Sequence, residues 1–247
     1  MRHSLSLGRH LLKSCRLYVI CPDGIDANKL FSFSCPGMGA LTSASGILSL
    51  SKFNMAAHPL LSTLQSRHDF PSSEFEKFLA LFQPRNIAKN EMLFHQGEVV
   101  KQLMFILKGC MRQYHLTQEG IERTIFFAEE GWWCGEMDSF INRTPSTMSM
   151  QALEDCEVLS IDLENWEHAT RTIPDYALYQ IKNRGRNVAW LKNLLSNMAT
   201  ETPDEKYRRI LKETPHWINR LPQYHIASYL GVTPETLSRI RKRNMHL

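Results

Sequence analysis

No stretch of this chain strings together the ~20 apolar residues that cross a bilayer, so no membrane-spanning helix is expected. Cysteine is present, but Cys15, Cys21, Cys35, Cys110, Cys134 and Cys156 form no CxxC pair. Scattered spacing in a chain of this length fits free thiols in a reducing compartment. No HxH pair occurs, and His95 and His115 stand alone. A metal-dependent oxygenase on a small barrel needs two or three histidines and a carboxylate around one metal. That enzyme class is therefore not expected, and no catalytic or metal-binding residue is assigned. Acid is nearly missing from residues 1–54, where Asp23 and Asp26 are the only carboxylates. That segment is rich in Ser and Gly (SFSCPGMGALTSASGILSLS), and apolar runs such as LYVIC fall short of the ~7–15 residues of a secretory core. Its opening, MRHSLSLGRHLLKSCRL, is basic and acid-free, as in a transit peptide. A disordered extension, or a start assigned upstream of a true start at Met55, is the simpler reading. Packing onto the core is a third.

What is present suffices for a packed core. Hydrophobic residues make up 43% and charged residues 22% of the 247, which suits one large domain or two ordinary ones. The net charge of +4 permits a polyanionic partner without demanding one. Glycines at 97, 109, 120 and 131 punctuate strand-like segments, LMFILK, CMRQYHLT and ERTIFFAE. Short strands with turn signals at this spacing predict an antiparallel sandwich or barrel. Within CMRQYHLT, Met111, Gln113 and His115 alternate with Arg112, Tyr114 and Leu116. Next, Gly135-Glu136 opens a short helical turn, NRTPS breaks it, and SMQALEDCEVLSID returns as strand. A glycine, a carboxylate and free amides there suit a phosphorylated or ribose-bearing ligand, giving a candidate effector pocket at Gly135, Glu136, Arg143, Ser146 and Thr147. Trp132 and Trp133 read as core.

From Tyr176 to Met198 the pattern is helical. Val188, Leu191, Leu195 and Met198 recur at three and four residues, with Trp190 and Leu194 widening the stripe. Such a helix is either a dimer seam or packed on its own domain, and the seam is favoured because the element that follows works best in pairs. Thr202-Pro203-Asp204-Glu205 then starts a helix running to about Glu213, with Thr as N-cap, Pro at N1 and acids in the first turn. At the end stands HIASYLGVTPETLSRIRKR. Ile226, Tyr229 and Leu230 share one face of a first helix, Gly231 turns, and Thr233 and Pro234 start a second. Leu237 and Ile240 face inward. Glu235, Ser238, Arg239 and Lys242 are left outward, and the tail from Arg239 adds Arg241 and Arg243 with no acid. A helix of this kind fits a DNA major groove: Arg239 suits guanine, Glu235 a cytosine amine, Thr233 and Ser238 base or phosphate, and Arg241, Lys242 and Arg243 phosphate.

Together these stretches resemble the Crp/Fnr-type transcription regulators, on FHQGE, LMFILKGCMRQY, Gly135-Glu136, QALEDCEVLSID and, most firmly, IASYLGVTPETLSRIRK. The resemblance covers roughly Phe75 to the end. It implies an α+β protein: an antiparallel, jelly-roll-like β-roll sensor domain of the cyclic-nucleotide-binding kind over 55–174, a long dimerisation helix over 175–200 and a C-terminal (winged) helix-turn-helix domain over 201–247. It also implies a cytoplasmic homodimer that binds operator DNA and acts on RNA polymerase, with Glu235 and Arg239 as base readers. Three departures follow. Cyclic-AMP-binding members carry Arg-Ser near the end of the phosphate cassette, where this chain has Ser146-Thr147; Arg143 is three residues out of place. A cyclic nucleotide is accordingly not expected, and no other cofactor is. Cys15, Cys21 and Cys35 are too dispersed for an iron–sulfur cluster, and neither histidine is a persuasive haem ligand. Pro234 replaces a base-reading arginine, so the target should differ from the best-known half-sites, and the wing after the second helix is very short or missing. The alternative reading is a ligand-sensing or protein-docking β-roll with weak, non-specific DNA binding.

Overall fold

The computed structural model describes residues 58–244. The expectations for residues 1–54, including Cys15, Cys21 and Cys35, lie outside the described residues. Two short helices, α1 (Pro59–Gln65) and α2 (Ser72–Leu79), lead into eight strands: β1 (Gln83–Ile87), β2 (Met92–Phe94), β3 (Gln102–Lys108), β4 (Met111–Leu116), β5 (Glu122–Ala128), β6 (Trp133–Cys134), β7 (Ser149–Ala152) and β8 (Cys156–Asp162). They pair antiparallel in two four-stranded sheets, in the orders β1-β8-β3-β6 and β2-β7-β4-β5. This is the jelly-roll-like β-roll. The stretch SMQALEDCEVLSID, expected as one returning strand, is two. A turn at Leu153–Asp155 carries the chain from β7 in one sheet to β8 in the other, so a single acidic turn crosses between layers.

The core lies between the sheets. Leu103, Phe105, Met111, Phe126, Ala128, Met150, Ala152, Val158 and Leu159 are buried in it, with Phe75 and Phe78 from α2 and Trp133 from β6. Trp132 stacks on Phe126 at its edge. In β4, however, residues on both faces are buried from Met111 to Tyr114, so the alternation read from sequence does not separate core from solvent. The outward residues Arg112 and Phe127, cross-strand neighbours, are covered by the C-terminal helices.

After the strands come α3 (Met137–Asn142, inserted before β7), α4 (Leu163–Thr172) and the long α5 (Pro174–Thr200). Pro174 starts α5, since proline's fixed φ suits the first helical position. Tyr176, Tyr179, Asn183 and Asn187 recur at three to four residues and are buried. The Tyr176 ring packs tilted against Phe78 at 4.4 Å, and Arg67 of the loop after α1 donates to Asn183. Trp190 also packs toward the β-roll core, so it belongs to this face and not to the outward stripe. The C-terminal unit is helical throughout its described residues: α6 (Pro203–Glu213), α7 (Trp217–Arg220), α8 (Gln223–Leu230) and α9 (Pro234–Arg243). Thr202 and Glu205 form the capping box of α6, each satisfying the other's backbone amide. Thr233 caps α9 by accepting the Thr236 amide, with Pro234 at N1.

Gly109, between β3 and β4, has φ +102, and a Cβ there would lie 2.5 Å from Cys156 Sγ and 2.9 Å from the Asp155 carbonyl. Backbone on one side cannot move aside, and the φ itself disfavours any side chain. Gly109→Ala should therefore cost about 3 kcal/mol of stability. Equilibrium urea unfolding checks this; an unchanged midpoint would contradict the packing described.

Candidate effector pocket and DNA-reading face

The pocket residues sit where α3 and the 143–148 loop fold back on the roll. Gly135 has φ +130 with Leu103 Cδ2 2.8 Å from where a Cβ would be, so a side chain fits neither the backbone nor the space. Glu136 precedes α3 but does not cap it. It is 5% exposed and turns inward instead. One of its oxygens, Oε2, accepts from the Ser146 hydroxyl and from the Thr147 amide at 3.0 Å; Oε1 accepts from the Thr147 hydroxyl at 3.1 Å. The loop is fixed from outside by the FHQGE turn: Gly97 N–H donates to the Ser146 carbonyl and Ser146 N–H to the Glu98 carbonyl, each at 2.7 Å. His115 Nδ1 lies 3.1 Å from the Thr147 carbonyl, joining the same loop. The structure thus brings Glu136, Ser146 and Thr147 together over Gly135. Arg143 is exposed at the left-handed C-cap of α3 and reaches none of them.

One interior residue was missed by the site reasoning. Gln113 is 1% exposed, its cross-strand neighbours are Phe126 and Met150, and among the described residues neither end of its amide has a partner. A polar side chain at an inward register position of β4 was the available signal. No group of three or more His, Cys, Asp or Glu among the described residues could hold a metal. Burial pushes the Cys110 and Cys134 thiols far up and Cys156 to about 11, which keeps all three protonated near neutrality.

On the other unit, α8 ends at Gly231 (φ +73), and the chain turns into α9. Leu237 and Ile240 are buried against the unit's own core, whereas Thr233, Glu235, Ser238, Arg239, Lys242 and Arg243 are exposed and Arg241 half-buried. The Glu235 carboxyl is held low by its own backbone amide, then by the Thr233 hydroxyl, with Arg239 one turn on contributing least. It stays ionised as an acceptor. Arg243 is committed to Asp204 of α6, which Asn244 also contacts at 3.2 Å. On α5, Val188, Leu195 and Met198 are 61%, 54% and 54% exposed and Leu191 half-buried. Ile181 and Leu178 are exposed on the same helix, and Ile181, Val188 and Leu195 recur every seven residues, the spacing of a two-helix seam.

Behind α9, α8 lies on the second sheet. Arg112 of β4 is gripped by Gln151 at 2.7 and 3.0 Å and Glu122 at 2.5 Å, and it covers the Tyr114 ring at 4.2 Å. His225 of α8 is 3% exposed, and its Nδ1 has no partner among the described residues. Burial first, and Arg112 second, lower its pKa to about 4.

Comparison with known proteins gives the following. Residues 84–172 match the cyclic nucleotide-binding domain family. Similar curated proteins include the transcriptional activator protein FnrA of Stutzerimonas stutzeri, 24% identical over 170 residues, which are 64% of this chain and 69% of that protein. They also include the cAMP-activated global transcriptional regulator CRP of Salmonella typhimurium, 23% identical over 177 residues, 68% of this chain and 84% of that one. Among solved structures, the c-di-GMP responsive global regulator CLP of Xanthomonas campestris superposes with a TM-score of 0.57 at 17% identity, over 71% of this chain and 92% of that one. FixK2 of Bradyrhizobium japonicum does so with 0.55 at 17% identity, over 67% and 85%. At these identities the structures speak to the fold.

The His225 environment fixes a pH dependence. Its folded pKa lies below the unfolded 6.5, so the unfolded chain binds the extra proton between the two values. The stability tied to the neutral ring is full above about 6.5 and falls as pH drops toward 4. Urea midpoints of the parent and of His225→Gln between pH 7 and 4 should show a smaller decline in the variant; identical declines would contradict the buried neutral ring.

Proposed function

We propose that this chain, a protein of the Crp/Fnr type, is a sequence-specific DNA-binding transcription regulator that works as a homodimer. The observation that carries the reading is the division of α9: Leu237 and Ile240 hold it to its unit while Glu235, Ser238, Arg239 and Lys242 project from the open side. An exposed helix with this side-chain set offers paired donors for guanine, an acceptor for cytosine and cations for phosphate. Arg241 and Arg243 add to the phosphate grip, Arg243 by exchanging Asp204 for a phosphate, since an exposed ion pair is held weakly. The named relatives are transcription regulators, which supports the same reading. Two copies joined along Ile181, Val188, Leu191, Leu195 and Met198 would present two such helices to successive major grooves, about 34 Å apart.

Within the β-roll, a cyclic phosphate is not the effector on this reading. The position that would supply a phosphate-neutralising arginine is Ser146, and it and Thr147 instead satisfy Glu136. An anion placed there would meet a buried carboxylate with no cation beside it, which costs several kcal/mol. Whether the outcome is activation or repression lies with the contacts made to RNA polymerase, the expected partner.

A DNA-selection experiment at ~150 mM salt on the full chain, without added nucleotide, tests the assignment. The parent should enrich a near-palindromic site. Arg239→Ala should lose about 1–3 kcal/mol of affinity for that site while keeping its fold. Lys242→Ala should weaken binding to all sequences and flatten the salt slope by about one. Equal enrichment by Arg239→Ala removes that residue as a base reader. Weak, sequence-indifferent binding by the parent itself would instead favour the docking-module reading.

A further inference from the structure

The way the C-terminal unit is fastened to the β-roll is a feature that DNA reading does not require. Arg220, the last residue of α7, points into three carboxylates of the roll. Its Nε and Nη2 each donate to Glu154 at 2.8 Å; Nη2 and Nη1 donate to Glu130 at 2.7 and 2.9 Å; Nη1 reaches Glu129 at 3.3 Å. Glu129 also takes the Trp217 indole N–H at 2.8 Å and faces His216 Nε2 at 2.6 Å, and Glu130 accepts the Gly109 amide at 2.8 Å. The guanidinium thus joins the turn before β6 to the β7–β8 turn and both to α7. Beside this cluster, Phe127 of β5 is wedged against Trp217 at 5.0 Å and Tyr229 at 5.7 Å. At the open edge of β5, Ser228 of α8 accepts the Thr124 N–H at 2.9 Å and donates to the Glu122 carbonyl at 2.7 Å, standing in for the missing next strand.

Each of these attachments comes from α7, from His216 just before it, or from α8, and none from the outward side chains of α9. The unit is held while its reading face stays open. The three carboxylates repel one another and are bearable together only with a cation among them. A fork-shaped guanidinium meets two carboxylates with paired bonds, which fixes direction as well as distance. We propose that Arg220 with Glu129, Glu130 and Glu154 is a latch that holds the C-terminal unit in one orientation on the β-roll, so that a shift of either acidic turn is carried to α9. Its consequence for DNA rests on the function proposed above; the latch itself does not.

Hydrogen exchange of the full chain, read by mass spectrometry on Arg220→Gln and on the double variant Glu130→Gln/Glu154→Gln, tests it without DNA. The expected result is exchange at least tenfold faster in the segments 122–128 and 223–230 for Arg220→Gln. The double variant should shift the same two segments by a smaller factor. The core strands 102–108 and 156–162 should not change in either. Unchanged exchange at the two docking segments in both variants would overturn the latch. So would acceleration of the core strands in both, because the charges would then support the fold at large. If only Arg220→Gln loosens the core, the double variant decides, and the latch stands only if its acceleration is confined to 122–128 and 223–230. A failure to bind DNA leaves each of these outcomes readable.

Discussion

The outward face of the second sheet is where this molecule becomes one body. A two-sheet roll needs apolar residues only on its inward faces, yet Cys110, Phe127 and Leu153 are buried in a second core with Tyr207, Ile210, Trp217, Ile226, Leu230, Leu237 and Ile240. The helical unit is small, and small units have too little interior to be well supported alone. Borrowing Phe127 from the sheet, with Cys110 and Leu153 from the adjoining turns, enlarges that interior and at the same time sets where α8 lies. Through the tight turn at Gly231, α8 in turn sets where α9 points. The exposure of Glu235, Arg239 and Lys242 is therefore a downstream result of how Phe127 is covered.

A second constraint operates inside the roll. Glu136 is a buried carboxylate, and the chain answers it with two hydroxyls and an amide from the 146–147 loop, with no cation. Three donors on its two oxygens offset the cost of burying a polar group there. The loop that supplies them is pinned by Gly97 and Glu98, so the FHQGE turn and the pocket are one structure. Gln113, on the inner face of β4, is an interior amide left with both ends unpartnered among the described residues. The roll thus keeps the shape associated with cyclic-nucleotide-binding domains while its polar interior has a different character.

Local chemistry made much of this legible. Thr202-Pro203 and Thr233-Pro234 start helices because each supplies a cap oxygen and a preset φ within four residues, and both starts lie where the sequence places them. The glycine spacing marks the turns of β3 to β6 because those turns need a positive φ, which glycine adopts without strain. Longer-range facts were hidden. The run SMQALEDCEVLSID looks continuous because both halves are apolar, and only the pairing of β7 with β4 and β8 with β3 divides it. Trp190 reads as part of the outward stripe of α5, but a 27-residue helix gives a large residue two flanks, and the roll took this one. Arg220 and its carboxylates are separated by 66 to 91 positions, and no local pattern joins them. The stripe itself was read from Val188 onward; its extension to Ile181 shows once the opposite face, Tyr179 to Asn187, is seen buried.

The central claim is that paired α9 helices read DNA from orientations fixed by docking and by the α5 seam. The most direct measurement is affinity of the full chain for palindromic half-sites whose separation is varied one base pair at a time. Rigidly held readers predict a narrow optimum near one helical turn between half-site centres, with affinity falling steeply for a change of two or three base pairs. Affinity that stays level across all separations would contradict the account, because each unit would then be reading alone.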